Sequence, residues 1–147
     1  MSMFGETLKN KIDQVGSSLC AGIDPHTVNL PVFMKNSLAD NPSSFLSGFS
    51  KAIIDASAGK LPAVKFQSSF FEVHGSQGWQ VLDEMISYAK SKGLVAILDA
   101  KRGDISSTMQ AYGQMAFDKM DADILTITPY MGVGTIEPLI PWMKKGR

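Results

Sequence analysis

The sequence predicts an α/β fold in which a parallel sheet alternates with helices, and three observations carry that expectation. Short apolar runs recur at residues 18–23, 63–66, 94–98 and 124–127, each of a length suited to a buried strand. Stretches with helical spacing separate them in strict alternation, the pattern of parallel strands joined by right-handed crossovers. Charged residues, namely Asp24, Lys65, Asp99 and Lys101, gather at the C-terminal ends of the first three runs.

Each element has a local reason. After the first run, residues 42–58 place Phe45, Leu46, Phe49, Ile53 and Ile54 at helical spacing behind Pro42, which suits an early helical position. The second run leads into a helix expected over 83–92. Val81, Leu82, Met85, Ile86 and Ala89 share its side, Lys90 and Lys92 fall in its last turn, and Gly93 is a plausible cap. A third helix is expected over 104–120, with Met109, Tyr112, Met115, Ala116 and Met120 as an apolar stripe and Asp104 or Ser106 near its start. The methionines read as core filler. A last helix is expected from about 135 through Trp142, ending in LysLysGlyArg. Trp79 and Trp142 are expected to pack against the sheet.

Two architectures fit four such units: an open doubly wound sheet, or part of a (β/α)₈ barrel. Charges at strand C-termini favour the barrel, where enzymes of that fold place their reactive groups. A whole barrel takes about 250 residues. The 147 residues are therefore expected to form one domain, 1–147, holding about the first four βα units as a half barrel. Its first and fourth strands would be unpaired edges that invite association.

Composition narrows the function. Fourteen basic residues balance fourteen acidic ones, so nothing points to nucleic acid or an anionic membrane surface as a partner. No apolar run approaches the roughly 20 residues of a membrane span, and MetSerMetPheGlyGlu lacks the basic start of a signal peptide. A cytoplasmic location is expected. The single cysteine, Cys20, reads as a small core residue of a reducing compartment. His26 and His74 lie one per loop without the ligand clustering of a zinc site, and no metal is expected. Gln67 and Glu72 either line the strand-end mouth or belong to a solvated loop. Gly132 and Gly134 most simply permit a turn.

The stretch from Leu94 to Ile105 is the most informative. Five apolar residues lead into Asp99, Lys101 and Asp104. Side chains alternate along a strand, so Asp99 and Lys101 are expected on one side and Leu98 and Ala100 on the other. An isolated AspAlaLys is ordinarily a solvated ion pair. Here Lys65 ends the preceding strand, so neighbouring strands would aim two ammonium groups at one mouth. Interleaved carboxylates would keep both charged. Such an array suits a reaction that develops negative charge on carbon, because fixed ammonium groups stabilise the charge and then donate a proton. It also disfavours a Schiff-base role for Lys101, whose ammonium would stay protonated and poorly nucleophilic.

AspAlaLysArgGlyAspIle followed by SerSerThr resembles the signature of the orotidine 5′-phosphate decarboxylases. AlaGlyIleAspPro at Asp24, ValLysPheGln with PhePheGlu, and ThrProTyrMetGly fall in the matching order, and their wording is closest to the longer bacterial form. The resemblance covers about residues 19–138 and implies decarboxylation of orotidine 5′-phosphate to uridine 5′-phosphate without a cofactor. By position it implies that Asp24 binds a ribose hydroxyl and Lys65 bridges the ribose and the cluster. Asp99 would face the substrate carboxylate, and Lys101 would protonate C6. Asp104, Ile105 and Thr108 would reach across a homodimer interface into the partner's site.

In that family the groups that grip the phosphate and read the pyrimidine come from strands five to eight. Neither Arg102, inside the lysine motif, nor Arg147 takes the phosphate role. The expected partners are thus the nucleotide, a second copy with shared sites, or a complementary C-terminal half. Two rival readings remain: a related decarboxylase of 3-keto-gulonate 6-phosphate that uses magnesium, and a catalytically dead half barrel serving as a dimerisation or structural piece.

Overall fold

The computed structural model describes residues 4–30 and 41–147. Four parallel strands form one sheet in the order β1-β2-β3-β4, in sequence order throughout. That order lacks the reversal that defines a doubly wound sheet, and it is the order of consecutive units in a barrel. Among the described residues β1 and β4 pair on one side only.

The elements begin with α1 (Phe4–Val15), which was not foreseen. Phe4, Leu8, Ile12 and Val15 recur at helical spacing and are half-buried. Lys11 fastens the helix by donating to the carbonyl of Gly93, 2.5 Å away. The first three residues of MetSerMetPheGlyGlu lie outside the described chain. Strand β1 (Cys20–Ile23) follows, shorter than the expected 18–23. A 3₁₀ turn (Thr27–Asn29) precedes α2 (Pro42–Ser57). Asn41 caps α2, its side chain accepting from the amides of Ser43 and Ser44, and Pro42 occupies the first turn, where its missing N–H costs nothing.

Strand β2 (Ala63–Gln67) leads into the short α3 (Ser69–Glu72) and then α4 (Gly75–Ser91). The expected start at 83 is eight residues late because the polar first turns of α4 hide its beginning. Gly93 ends it at φ 80°, as a glycine cap should. Strand β3 (Val95–Arg102) runs past the expected 98 through Asp99 and Lys101.

The expected single helix over 104–120 divides. An α-helix, α5 (Ser106–Gly113), continues as a π-helical segment (Gln114–Lys119), with the Met120 amide donating to the carbonyl five residues back. Asp104 is not its cap. Ile105 holds that position without a side-chain bond, and Asp104 Oδ1 accepts from the Ile105 amide at 2.7 Å. After β4 (Ile124–Ile127), the expected last helix is mostly a 3₁₀ stretch (Val133–Leu139) with a short α6 (Ile140–Met143). Pro138 and Pro141 explain this, since each removes an amide donor from a regular helix. Gly132, at φ 103°, permits the turn before it.

The core lies between the outer face of the sheet and the helices: Ile23, Val64, Phe66, Ala96 and Leu98 meet Leu46, Ile54, Leu82, Ile86 and Met109, all fully buried. The methionine expectation holds: Met109 and Met120 are buried, and Met115 packs against the core half-buried. Cys20 departs from expectation: it is exposed. Period-two alternation puts it on the inner face with Gly22 and opposite Ile23, where no helix reaches. Trp142 is buried in the same core cluster and packs on the π segment. Its ring lies 5.9 Å from that of Phe117, and its Nε1 donates to Asp118 at 2.7 Å.

Gly113 makes room for that tryptophan, because a Cβ there would stand 2.7 Å from Trp142 Cζ3 and 2.8 Å from Leu139 Cδ2. Gly113→Ala should lower the unfolding free energy by about 1–3 kcal/mol through overpacking, despite alanine's better helix propensity. Urea unfolding followed by tryptophan fluorescence checks it. A gain in stability would mean that Trp142 is not seated there.

Candidate active site

Strand register assembles the strand-end rim. Lys65 lies beside Gly22 on one side and Ile97 on the other, and Gln67 lies beside Asp99. Because neighbours across a parallel sheet share a face, Lys65, Gln67 and Asp99 all point to the inner side. The Ser68 amide prolongs the pairing by donating to the Asp99 carbonyl at 3.1 Å.

Asp99 is the centre. It is only 6% exposed, yet both carboxylate oxygens are saturated. Oδ2 accepts from Lys65 Nζ at 2.8 Å and from Gln67 Nε2 at 3.2 Å. Oδ1 accepts from Lys101 Nζ at 2.7 Å and from Thr126 Oγ1 at 2.8 Å. Burial alone pushes the Asp99 carboxyl up. The bonds from Lys101, Lys65 and Thr126, with the charge of Lys65, outweigh it and hold the group well below the usual carboxylate range. One carboxylate thus stands between two ammonium groups, and the cluster has positive charge in excess, suited to an anion. Lys101 remains accessible, its side chain 62% exposed against 33% for Lys65.

Lys101 reaches Asp99 by an unforeseen route. The regular pleat breaks: the β3–β4 register shifts between Leu98 and Arg102, and Lys101 adopts φ 47°. A non-glycine residue in the left-handed region costs roughly 1–2 kcal/mol, so its surroundings must enforce it. Thr126 does part of this, its Oγ1 accepting from the Lys101 amide at 3.0 Å. Gly103 does another part by lying flat on β4's continuation, where a Cβ would meet Thr128 Cγ2 at 2.4 Å.

Three of the four expected members of the alternating array come together: Lys65, Asp99 and Lys101. Asp104 does not; among the described residues it has no bond to the cluster, and its carboxylate serves the Ile105 amide. Asp24 leaves the end of β1 exposed, on the same rim, with no bond to the cluster among the described residues. Ile105, 57% exposed, and Thr108 also stand apart from it. Of the two undecided residues, Gln67 joins the site, whereas Glu72 pairs with Arg102 at 2.6 Å. Thr126 was missed entirely. Its signal was present, since Thr126 lies two residues after Ile124, the β4 partner of inward-facing Ile97.

His26 is exposed, and its Nδ1 accepts from the Val28 amide at 3.3 Å. No group of three His, Cys, Asp or Glu with metal-holding geometry occurs among the described residues. None of the described helices is long and apolar enough to cross a membrane. Arg147 bonds to Asp123 at 3.1 Å, at the opposite, N-terminal end of β4.

Because the folded-state pKa of Asp99 is depressed, its stabilising contribution is present above its unfolded value of about 3.9 and is lost as the pH falls below that. The stability difference between wild type and Asp99→Asn, from urea unfolding, should therefore be larger at about pH 7 than at about pH 2.5. A difference independent of pH would contradict an ionised Asp99.

Comparison with known proteins agrees with the fold. An orotidine 5′-phosphate decarboxylase from Streptomyces coelicolor is 38% identical over 143 residues, covering 95% of this chain and 50% of that protein. One from Natronomonas pharaonis is 40% identical over 147 residues, covering 99% and 51%. The structure of Leishmania donovani OMP decarboxylase superposes with a TM-score of 0.77 at 30% identity, covering 96% of this chain and 50% of that one. The chain thus spans about half the length of the relatives it matches. The family model of orotidine 5′-phosphate decarboxylase / HUMPS matches residues 17–147, and this chain belongs to that family.

Proposed function

We propose that the chain supplies the reacting-centre half of an orotidine 5′-phosphate decarboxylase, converting orotidine 5′-phosphate to uridine 5′-phosphate and carbon dioxide. The observation that carries this reading is Asp99 held between Lys65 and Lys101 at the strand-end rim. In the proposed reaction the bond from C6 to the carboxylate breaks and its electron pair stays on C6. Lys101 then gives that carbon a proton from its ammonium group. Fixed positive charge lowers the energy of the carbanion as it forms, and it needs no reorganisation at that moment.

Asp99 has two parts in this scheme. It orients both ammonium groups, and its charge faces the substrate carboxylate, which favours departure as neutral carbon dioxide. Lys65 would bridge the cluster and the ribose, and Asp24 would take a ribose hydroxyl.

Asp104, Ile105 and Thr108 are left over by the cluster within one chain, which fits the proposal that they complete the partner's site in a homodimer. Phosphate and pyrimidine contacts are assigned to the portion of the relatives beyond the match, contributed by a complementary C-terminal half. Remote phosphate binding supports chemistry at a distant centre, so turnover should depend strongly on that half.

The test is loss of orotidine 5′-phosphate, followed by absorbance, for the chain alone and mixed with a C-terminal half from a relative. In the active assembly, Lys101→Ala should cut turnover by roughly 10²–10⁴-fold. Binding of uridine 5′-phosphate should weaken far less. Equal losses in turnover and binding would assign Lys101 to binding. Activity abolished by a chelator would favour the magnesium-dependent rival, and failure of every assembly to bind the nucleotide would favour the structural one.

A further inference from the structure

We infer that Arg102 is a positioning residue for Lys101, and this inference rests on the reading of Lys101 as the proton donor. Consecutive residues at the end of β3 part company here. Lys101 turns to the inner rim and bonds Asp99, while Arg102 runs outward into the helical layer. There the guanidinium carbon lies 5.8 Å from the Trp79 ring centroid and 5.4 Å from that of Tyr112. Arg102 Nη2 donates to Glu72 Oε1 at 2.6 Å.

These three contacts come from α3, α4 and α5, so Arg102 is tied to three separate elements. The main chain is tied as well, because the Arg102 carbonyl accepts from the Thr128 amide at 2.8 Å. Lys101 therefore sits between two fixed points. Asp99 is pinned on one side by Lys65, Gln67 and Thr126, and Arg102 on the other by Glu72, Trp79 and Tyr112. A left-handed residue survives where its flanks leave no alternative.

The guanidinium is otherwise poorly provided for. Its Nε is buried with no hydrogen-bond partner, an arrangement that is destabilising by itself. Cation–π contacts with two rings and a single ion pair set its position at the expense of that donor. The guanidinium meets all three partners at once; lysine would keep the charge but lose part of that reach. With the guanidinium committed to Glu72 and two rings, Arg102 is held away from substrate and acts only through its neighbour.

The test begins with the purified chain and needs no activity. A positive φ at Lys101 gives a strong intraresidue NOE between its amide and α protons. In Arg102→Met, which keeps an apolar stem between the rings, that NOE should weaken and the Lys101 and Thr126 amide resonances should move. Core resonances such as Met109 and Ala116 should stay, as should the far-ultraviolet circular dichroism. Lowered thermal stability with the Lys101 signals unchanged would reduce Arg102 to a structural staple and overturn the inference. If Arg102→Met fails to fold, Glu72→Gln and Arg102→Lys answer the same question, with smaller movements of the same Lys101 signals expected and no movement overturning it.

In an assembly that turns over, Arg102→Met should lower kcat by about 10–100-fold, the scale of a misplaced reacting group, with KM little changed. In the Lys101→Ala background the same substitution should add at most about a twofold loss, because residues acting through one another are not additive. An additive loss would show a role independent of Lys101. If no assembly decarboxylates the nucleotide, the proposed activity fails while the NMR result still decides the positioning role.

Discussion

A buried carboxylate must find its compensation nearby, and in this chain that requirement organises the whole strand-end rim. Asp99 is almost fully buried on the inner face of β3, where an unpaired charge would be driven to protonate. Lys65 from β2, Lys101 from β3 and Thr126 from β4 meet that need together. Three adjacent strands are thereby linked by a single side chain. The same contacts leave one ammonium accessible and the cluster positive, so the arrangement that stabilises the charge also prepares the site.

The two ends of the sheet are charged for different purposes. At the N-terminal end of β4, Lys90 reaches Asp121 at 2.6 Å and Asp123 at 3.1 Å, and Arg147 joins both aspartates. Asp123 also accepts from the Ala96 amide at 2.9 Å, tying β3 to the start of β4. Every group there is paired within the network, which reads as stability. At the opposite end, the cluster around Asp99 holds two ammonium groups on one carboxylate, and the backbone is held in a left-handed conformation at Lys101. Barrel enzymes divide their two faces in this way.

The strand-then-helix order was legible because apolar runs and glycine caps are local signals. So was the gathering of Lys65, Asp99 and Lys101 at one rim; for Lys65 and Asp99 it needs only adjacent parallel strands and period-two alternation. The kink at Lys101 was not legible. It arises from Thr126, Gly103 and the anchoring of Arg102, all contacts across sequence distance. The exposure of Cys20 escaped for a related reason: its neighbours look apolar, but its side of β1 faces away from the helices. Helix α1 was overlooked although its stripe of Phe4, Leu8, Ile12 and Val15 was present, because short apolar strand runs dominated the pattern. Prolines 138 and 141 already forbade the regular last helix that the apolar spacing suggested.

The charge state of one carboxyl tests this account most directly. Carbon-13 NMR titration of Asp99 in the purified chain should show a resonance that stays ionised while the exposed carboxylates protonate around pH ~4. Replacing Lys65 or Lys101 with methionine should bring its midpoint upward. A carboxyl that titrates with the exposed groups, indifferent to both lysines, would contradict the cluster that links the strands and on which the proposed chemistry depends.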